Sequence, residues 1–231
     1  MRVLDVQLTK TSIEGLFQVK EKDKSRLVTC NKVPGTSVYG EQLLSIDGEE
    51  YRVWDPYRSK FAAAYLSGMK KLPQIHDKRI LYLGVSTGTT ASHFSDILKY
   101  GMIYGIEFSP KVMRRVLRLA EQRDNLIPIL ADARRPEEYS PFVFEVDLIY
   151  QDVAQPEQAT IFGRNSQEFL KNEGHGFLAV KSQSIDVALK PEEIFSQQIE
   201  ELEQKFGLEI QEFRSIDPFE KKHAVLIVKK P

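Results

Sequence analysis

The chain has a single cysteine, Cys30, among its 231 residues, which excludes an internal disulfide bond. It also lacks a long hydrophobic run, since its longest apolar stretches, such as residues 224–228, are far too short to cross a bilayer. Neither sign of charge is in excess, with 32 Lys and Arg against 33 Asp and Glu. We therefore expect a cytoplasmic protein that is not held in a membrane and has no strong overall field for a polyanion.

Two familiar nucleotide-binding patterns are missing from residues 79–90, which read Arg-Ile-Leu-Tyr-Leu-Gly-Val-Ser-Thr-Gly-Thr-Thr. Gly84 and Gly88 do not fit the dinucleotide pattern G-x-G-x-x-G, and no Gly-Lys-Ser/Thr follows to form a phosphate loop. What remains is a G-x-x-x-G turn between a buried strand and a helix. Such turns are common in proteins that bind S-adenosylmethionine, and backbone N–H groups at the helix start would meet the ligand.

The pattern of apolar residues divides the chain into two parts. Residues 1–55 alternate apolar and polar positions, with turn signals such as Pro34-Gly35 and Asp47-Gly48, which predicts a small antiparallel β module. Residues 56–231 alternate strand-like and helix-like segments, which is typical of a Rossmann-like α/β domain. We therefore expect two domains, 1–55 and 56–231.

Within the second part, five apolar runs predict parallel strands and two further runs, joined by a short connection, predict an antiparallel pair. The strands are expected at residues 80–83, 103–108, 126–130, 146–152, 177–180, 208–213 and 223–228. Helices are expected at residues 59–68 and at residues 191–206, the second ending before Gly207. Two more are expected to begin at Ser109-Pro110 and at Pro156. The first of these would turn Val112, Val116, Leu117 and Ala120 inward, and the second would end before Gly174. The seven strands make a mostly parallel sheet, the fold of S-adenosylmethionine-dependent methyltransferases.

Charged residues stand where these strands end, the edge at which ligands of such sheets bind. Glu107 is placed to accept the ribose hydroxyls of an adenosine, or else to cap the next helix. Asp132 would accept an adenine amino group or simply hold a turn. Asp152 would lie beside the methionine portion of a bound cofactor, and Lys181 closes the fifth strand at the same edge.

An ordered set of segments resembles fibrillarin over nearly the whole chain. The segments are residues 33–41, 51–60, 84–93 (Gly-Val-Ser-Thr-Gly-Thr-Thr-Ala-Ser-His), 105–110 (Gly-Ile-Glu-Phe-Ser-Pro), 125–133, 152–156 (Asp-Val-Ala-Gln-Pro) and 180–186 (Val-Lys-Ser-Gln-Ser-Ile-Asp). The chain has no Gly-Arg-rich N-terminal extension and is similar to the short archaeal form. Val85 and Thr87 replace the usual Ala and Ser, and Lys222 precedes His223 where an acid is more usual.

The resemblance implies a 2'-O-methyltransferase that acts on ribosomal RNA and tRNA at sites chosen by a box C/D guide RNA. It also implies a Nop-domain scaffold protein and a kink-turn RNA-binding protein as partners, in the cytoplasm of an archaeal cell. S-adenosyl-L-methionine would be the cofactor. The expected cofactor-binding residues are Gly84, Thr89, Thr90, Glu107, Phe108, Asp132, Ala133, Asp152, Val153, Ala154 and Gln155.

A ribose 2'-hydroxyl is a poor nucleophile until a base removes its proton, so the reaction needs a general base near the methyl group. Lys60 and Lys181 are the candidates, because burial and a second cation lower a lysine pKa from its ordinary value of about 10.4. We favour Lys181 as the base, with Asp152 orienting it and Lys60 and His223 completing the group. In the plainer reading, Lys60 is a solvated lysine and His223 an ordinary residue at a strand start.

The other histidines have no partners at metal-ligand spacing, and with one cysteine we expect no metal site. Basic residues cluster locally, as at Arg114, Arg115 and Arg118, but a net charge of −1 predicts weak RNA binding by the chain alone. This weak binding suits an enzyme that a ribonucleoprotein particle brings to its RNA substrate. Two alternatives stay open: a protein (glutamine) methyltransferase, and a non-catalytic scaffold that binds S-adenosylmethionine for stability.

Overall fold

Two β-sheets of different construction organise the chain. The computed structural model describes residues 7–21 and 24–231, so the alternation at residues 1–6 lies outside the described part. Five antiparallel strands in the order β1-β2-β3-β5-β4 form the first sheet. They are β1 (Gln7–Lys10), β2 (Leu16–Glu21), β3 (Lys24–Cys30), β4 (Leu43–Ile46) and β5 (Glu49–Trp54). The predicted turns at Gly35 and Gly48 have φ values of +81° and +86°, a region that favours glycine.

The second sheet has seven strands in the order β11-β12-β10-β9-β6-β7-β8. They are β6 (Arg79–Leu83), β7 (Met102–Glu107), β8 (Leu126–Leu130), β9 (Val146–Gln151), β10 (Leu170–Lys181), β11 (Glu209–Ser215) and β12 (His223–Lys229). The strands from β6 to β10 pair in parallel, and β12 pairs antiparallel with both β10 and β11. The prediction of a mostly parallel, seven-stranded methyltransferase sheet is confirmed.

Helices cover both faces of the large sheet. They are α1 (Lys60–Leu66), α2 (Thr89–Ile97), α3 (Pro110–Ala120), α4 (Gln158–Phe169), α5 (Ser182–Ile185) and α6 (Pro191–Phe206). Apolar residues of α1, α2 and α3 share one buried cluster with Leu16, Leu27 and Trp54 of the first sheet. Residues of α4 and α6 belong to a second cluster on the opposite face. The first sheet therefore packs on the same side as α1 and α2.

The structure corrects two helix predictions. On α3 the buried residues are Met113, Val116 and Leu119, whereas Leu117 is 48% exposed. The prediction that Leu117 faces inward on this helix is therefore wrong. Gly174 does not follow a helix, because α4 ends at Phe169 and Gly174 lies within β10, where the pairing with β9 is irregular. A side chain there would meet the Lys171 carbonyl oxygen at 2.6 Å, so glycine permits this irregular strand.

A buried charge network joins the first sheet to α2. The guanidinium of Arg52, which is fully inaccessible, contacts Glu41 at 2.6 Å and Asp96 at 2.8 Å. The same Asp96 carboxylate contacts Arg123 at 2.6 Å and accepts the hydroxyl of Thr29 at 2.8 Å. Because buried ions must be paired, Asp96 balances two arginines that come from different parts of the chain.

His93 extends this network through both of its ring nitrogens. Its Nδ1 lies 2.8 Å from the hydroxyl oxygen of Thr29, which donates to Asp96, and its Nε2 lies 2.7 Å from the hydroxyl oxygen of Tyr39. Burial, together with the charges of Arg52 and Arg123, lowers the pKa of His93 well below its ordinary value and keeps the ring neutral. The ring also stacks on Trp54 at 4.5 Å. Since α2 begins at the glycine turn, these bonds hold that turn against the first sheet.

Replacing Asp96 by Asn should destabilise the protein strongly, because Arg52 and Arg123 would lose their shared charge partner in the interior. We expect a loss of about 3–5 kcal/mol in the free energy of unfolding, measured by urea denaturation. Asp124→Asn is the matched control, since the Asp124 side chain is 86% exposed and pairs with Lys32 on the surface. A small, equal effect of both substitutions would contradict the structural role given to the network.

Candidate active site

The glycine turn after β6 lies against the end of β9. Gly84 has φ of +76°, and a Cβ there would be 2.9 Å from the carbonyl oxygen of Asp152, so only glycine fits. The backbone N–H of Ser86 donates to the Glu107 carboxylate at 3.1 Å, and that of Ser109 donates to its other oxygen at 2.9 Å. Glu107 thus fixes both the turn and the entry to α3, while only 6% of its surface is exposed.

A cavity of about 820 Å³ opens at the carboxyl ends of β6, β7, β8 and β9. Its volume lies in the range usual for small-molecule sites. Both Lys60 and Lys181 line it, and Phe108, which is 63% exposed, offers a ring face at its edge. Eight of the residues expected to bind a cofactor line the cavity: Gly84, Glu107, Phe108, Ala133, Asp152, Val153, Ala154 and Gln155.

Three expected cofactor residues do not line this cavity. Thr89 and Thr90 begin α2, and the Thr90 hydroxyl donates to the Ser59 hydroxyl at 3.0 Å. The carboxylate of Asp132 accepts a bidentate pair from Arg134, with distances of 2.6 and 3.0 Å to one of its oxygens. This ion pair lowers the pKa of Asp132. Cofactor contacts for these three residues stay a prediction.

Lys60, Asp152 and Lys181 converge at one side of the cavity. The Asp152 carboxylate lies between the two ammonium groups, with Lys60 Nζ 3.1 Å from Oδ2 and Lys181 Nζ 2.7 Å from Oδ1. Lys181 Nζ also donates to the Asp152 carbonyl oxygen at 3.3 Å. The three side chains are 11–18% exposed, so the pairs are largely screened from water. Residues from α1, β10 and the end of β9 thus form one ion cluster.

Glu220 is a member of this cluster that the sequence did not indicate. Its Oε1 accepts Lys60 Nζ at 3.1 Å, and its Oε2 lies 3.5 Å from Nε2 of His223. His223 stands directly opposite Lys181 in the pairing of β12 with β10. Lys222 stands where an acid is more usual before His223, but an acid three positions before the histidine, Glu220, does contact it. In the sequence, Glu220 is marked only by its position close to His223, and that position does not indicate that Glu220 contacts Lys60.

The pKa shifts in this cluster follow from its charges. Burial alone would lower the pKa of Lys60, but the carboxylates of Asp152 and Glu220 outweigh it and raise the pKa above its ordinary value. Burial likewise would raise the pKa of Asp152, whereas the charges of Lys60 and Lys181 lower it. The expectation of a lowered lysine pKa is therefore wrong for Lys60, which stays protonated at neutral pH.

The arrangement combines one carboxylate with two lysines that line the same cavity, and Lys60 is also held by Glu220. Lysine and carboxylate groups beside an open cavity are able to carry out general acid–base chemistry. Among residues 7–21 and 24–231, no group of three potential metal ligands comes together. The same part of the chain contains no helix that could span a membrane.

Comparisons with known proteins agree with this geometry. The family model described as Fibrillarin matches residues 8–231. The fibrillarin-like rRNA/tRNA 2'-O-methyltransferase of Pyrococcus furiosus is 48% identical over 228 residues, covering 98% of this chain and 100% of that protein. The crystal structure of Aeropyrum pernix fibrillarin with natively bound S-adenosyl-L-methionine is 45% identical, with a TM-score of 0.89 over 98% of this chain and 100% of that one. A fibrillarin from a fibrillarin/Nop5p complex is 38% identical, with a TM-score of 0.85 over 96% and 100% of the two chains.

The match extends across both sheets and includes the glycine turn, the ends of β7 and β9 and the lysine at the end of β10. It also spans relatives over their full length or nearly so. The protein belongs to the fibrillarin family.

Proposed function

We propose that this protein transfers the methyl group of S-adenosyl-L-methionine to ribose 2'-hydroxyls of rRNA and tRNA, directed by a box C/D guide RNA. The observation that carries the proposal is the ion cluster of Lys60, Asp152 and Lys181 at the wall of the cavity. The catalytic set is Lys60, Asp152, Lys181 and His223. A relative with 48% identity carries the name of this activity.

The cavity fits the proposed cofactor by shape and by chemistry. Gly84 allows close approach of a ligand to the backbone, and Glu107 presents a buried carboxylate suited to ribose hydroxyls. The exposed ring of Phe108 and the small side chain of Ala133 provide an apolar surface for a base. A similar chain from Aeropyrum pernix holds natively bound S-adenosyl-L-methionine. When bound, this cofactor supplies the methyl group as a sulfonium substituent.

The residues of the cluster divide the chemical work. Lys60, held between Asp152 and Glu220, stays cationic and fixes the carboxylate. Asp152 orients Lys181 through its carboxylate and its carbonyl oxygen. Lys181 accepts the proton of the ribose hydroxyl: it lines the cavity, and among residues 7–21 and 24–231 its ammonium group contacts Asp152 only, whereas that of Lys60 is also held by Glu220. His223 lies opposite Lys181 on β12 and 3.5 Å from Glu220, so it adjoins the cluster through that carboxylate.

We also propose which partners the protein works with and where. A Nop-domain scaffold protein is the direct partner, as the complex of a similar fibrillarin with Nop5p suggests. The guide RNA, its target and a kink-turn RNA-binding protein complete the particle, which works in the cytoplasm. Residues 56–231 serve as the methyltransferase domain, and residues 1–55 as a β module that supports the turn at α2.

Methyl transfer by the reconstituted particle tests the function directly. With a guide-complementary RNA, we expect methylation at one 2'-oxygen, located by nuclease digestion and mass spectrometry. Asp152→Ala should lower the rate at least about 100-fold, because the base loses its orientation. Cofactor affinity is measured in parallel, since Asp152 also lines the cavity.

Three outcomes would contradict the proposal. Guide-independent methylation of naked RNA by the chain alone would remove the need for the particle. Methyl transfer to a protein glutamine in place of RNA would favour the protein-methyltransferase alternative. Tight cofactor binding without any transfer would favour a non-catalytic scaffold.

Glu107→Gln tests the cofactor assignment separately. Removing the charge should weaken S-adenosyl-L-methionine binding about 10- to 100-fold, since a hydrogen bond to a charged group contributes about 1.5–3 kcal/mol. Isothermal titration calorimetry measures the affinity, and thermal unfolding without cofactor reports any damage to the turn. Glu121→Gln, at the exposed end of α3, is the control. An unchanged affinity in the Glu107 variant would leave this residue with a capping role only.

A further inference from the structure

A second cavity, of about 480 Å³, lies between α3 and the loop that precedes β4. Three of the four arginines that line it, together with two loop residues that bear hydroxyls, define what we term the arginine groove. They are Arg58, Arg115, Arg118, Thr36 and Ser37. None of them belongs to the catalytic cluster or lines the cofactor cavity.

The charge of the arginine groove is largely unbalanced. Arg115 and Arg118, three residues apart on α3, are exposed, and neither forms an ion pair with any residue of the described ranges 7–21 and 24–231. Arg58 donates to the Tyr39 carbonyl oxygen at 3.2 Å and lies over the Tyr39 ring at 5.2 Å, and within the described part of the chain it forms no ion pair with an acid. By contrast, Arg123 at the floor is paired with Asp96. A groove of this kind attracts an anion.

The arginine groove leads to the active site. Thr87 lines the groove, and its neighbour Ser86 lines the cofactor cavity, so one turn borders both. Arg58 stands two residues before Lys60 in the chain. Tyr57, the neighbour of Arg58 in the chain, is 64% exposed and rests edge-on against Phe219 at 5.4 Å between ring centres. Tyr57 and Arg58 also line one further cavity together, so an exposed aromatic ring lies close to one arginine of the groove.

We propose that the arginine groove holds the phosphate backbone of the RNA strand whose ribose reaches Lys181. Arginine and hydroxyl side chains are the usual protein partners of backbone phosphates, and Arg115, Arg118, Thr36 and Ser37 supply both kinds. An exposed ring such as that of Tyr57 suits stacking on an unpaired base. This inference rests on the proposed function and adds the surface by which the acceptor strand is oriented.

The groove reconciles RNA binding with the overall charge. A chain with net charge −1 has no long-range attraction for RNA, so its contacts must be local and few. Two arginine contacts add modest affinity, enough to align a strand that the particle already holds. The groove therefore orients the acceptor strand and leaves target choice to the guide.

The test compares Arg115→Gln/Arg118→Gln with Arg114→Gln in the complete reconstituted particle. Arg114 is exposed on the same helix but does not line the groove. We expect the double variant to raise the KM for target RNA about tenfold or more, with kcat at saturating RNA within about twofold of wild type. Loss of two contacts should also reduce the slope of log affinity against log salt by about 1.4. The Arg114 variant should behave as wild type.

Equal KM values and salt slopes for the double variant and the Arg114 variant would overturn the inference. So would unchanged RNA affinity with loss of scaffold binding, because the groove would then hold an acidic protein surface. RNA affinity is also measured by filter binding without cofactor. If the wild-type particle transferred no methyl group, the proposed function would fail, and filter binding would still decide whether the groove holds RNA.

Discussion

The site depends on one carboxylate, that of Asp152, held between two lysines at the end of β9. The backbone carbonyl oxygen of Asp152 leaves no room for a side chain at Gly84, and the backbone N–H of Asp152 donates to the Leu83 carbonyl oxygen at 3.0 Å. The cofactor turn and the ion cluster are therefore positioned by the same residue. Largely removed from water, the Asp152 charge keeps Lys60 protonated and holds Lys181 at the cavity wall. Without this carboxylate, two like charges would face each other in a partly buried space.

The first sheet contributes to this arrangement from a distance. Arg52 and Thr29 bind Asp96 of α2, and His93 on the same helix bonds to Tyr39 and Thr29, so α2 is fixed against β3 and β5. The start of α2 is tied in turn to Ser59, which caps α1 and immediately precedes Lys60. Side-chain contacts, helix α2 and the Ser59–Lys60 peptide bond thus connect the small sheet to Lys60 of the ion cluster. This coupling gives the β module a role in shaping the active site.

Much of this could be predicted from the sequence, because strong local signals agree with the tertiary structure. Alternating strands and helices gave the seven-stranded sheet, and Pro191 and Gly207 marked the ends of α6. Strand ends predicted the placement of Glu107 and Asp152, since parallel strands bring their carboxyl ends to one edge. Glu220 was missed because its contact with Lys60 joins residues far apart in the chain. Leu117 was misplaced because α3 carries apolar residues on more than one face.

In the proposed mechanism, Lys181 takes the proton of the ribose 2'-hydroxyl while Lys60 remains a cation that holds Asp152. Single-turnover methyl transfer by the reconstituted particle, at saturating cofactor and RNA, tests it most directly when Lys181→Met is compared with Lys60→Met. We expect Lys181→Met to lower the rate at least about 100-fold with little change in cofactor affinity, and Lys60→Met to have a clearly smaller effect. An equal or larger loss on replacing Lys60 would contradict it.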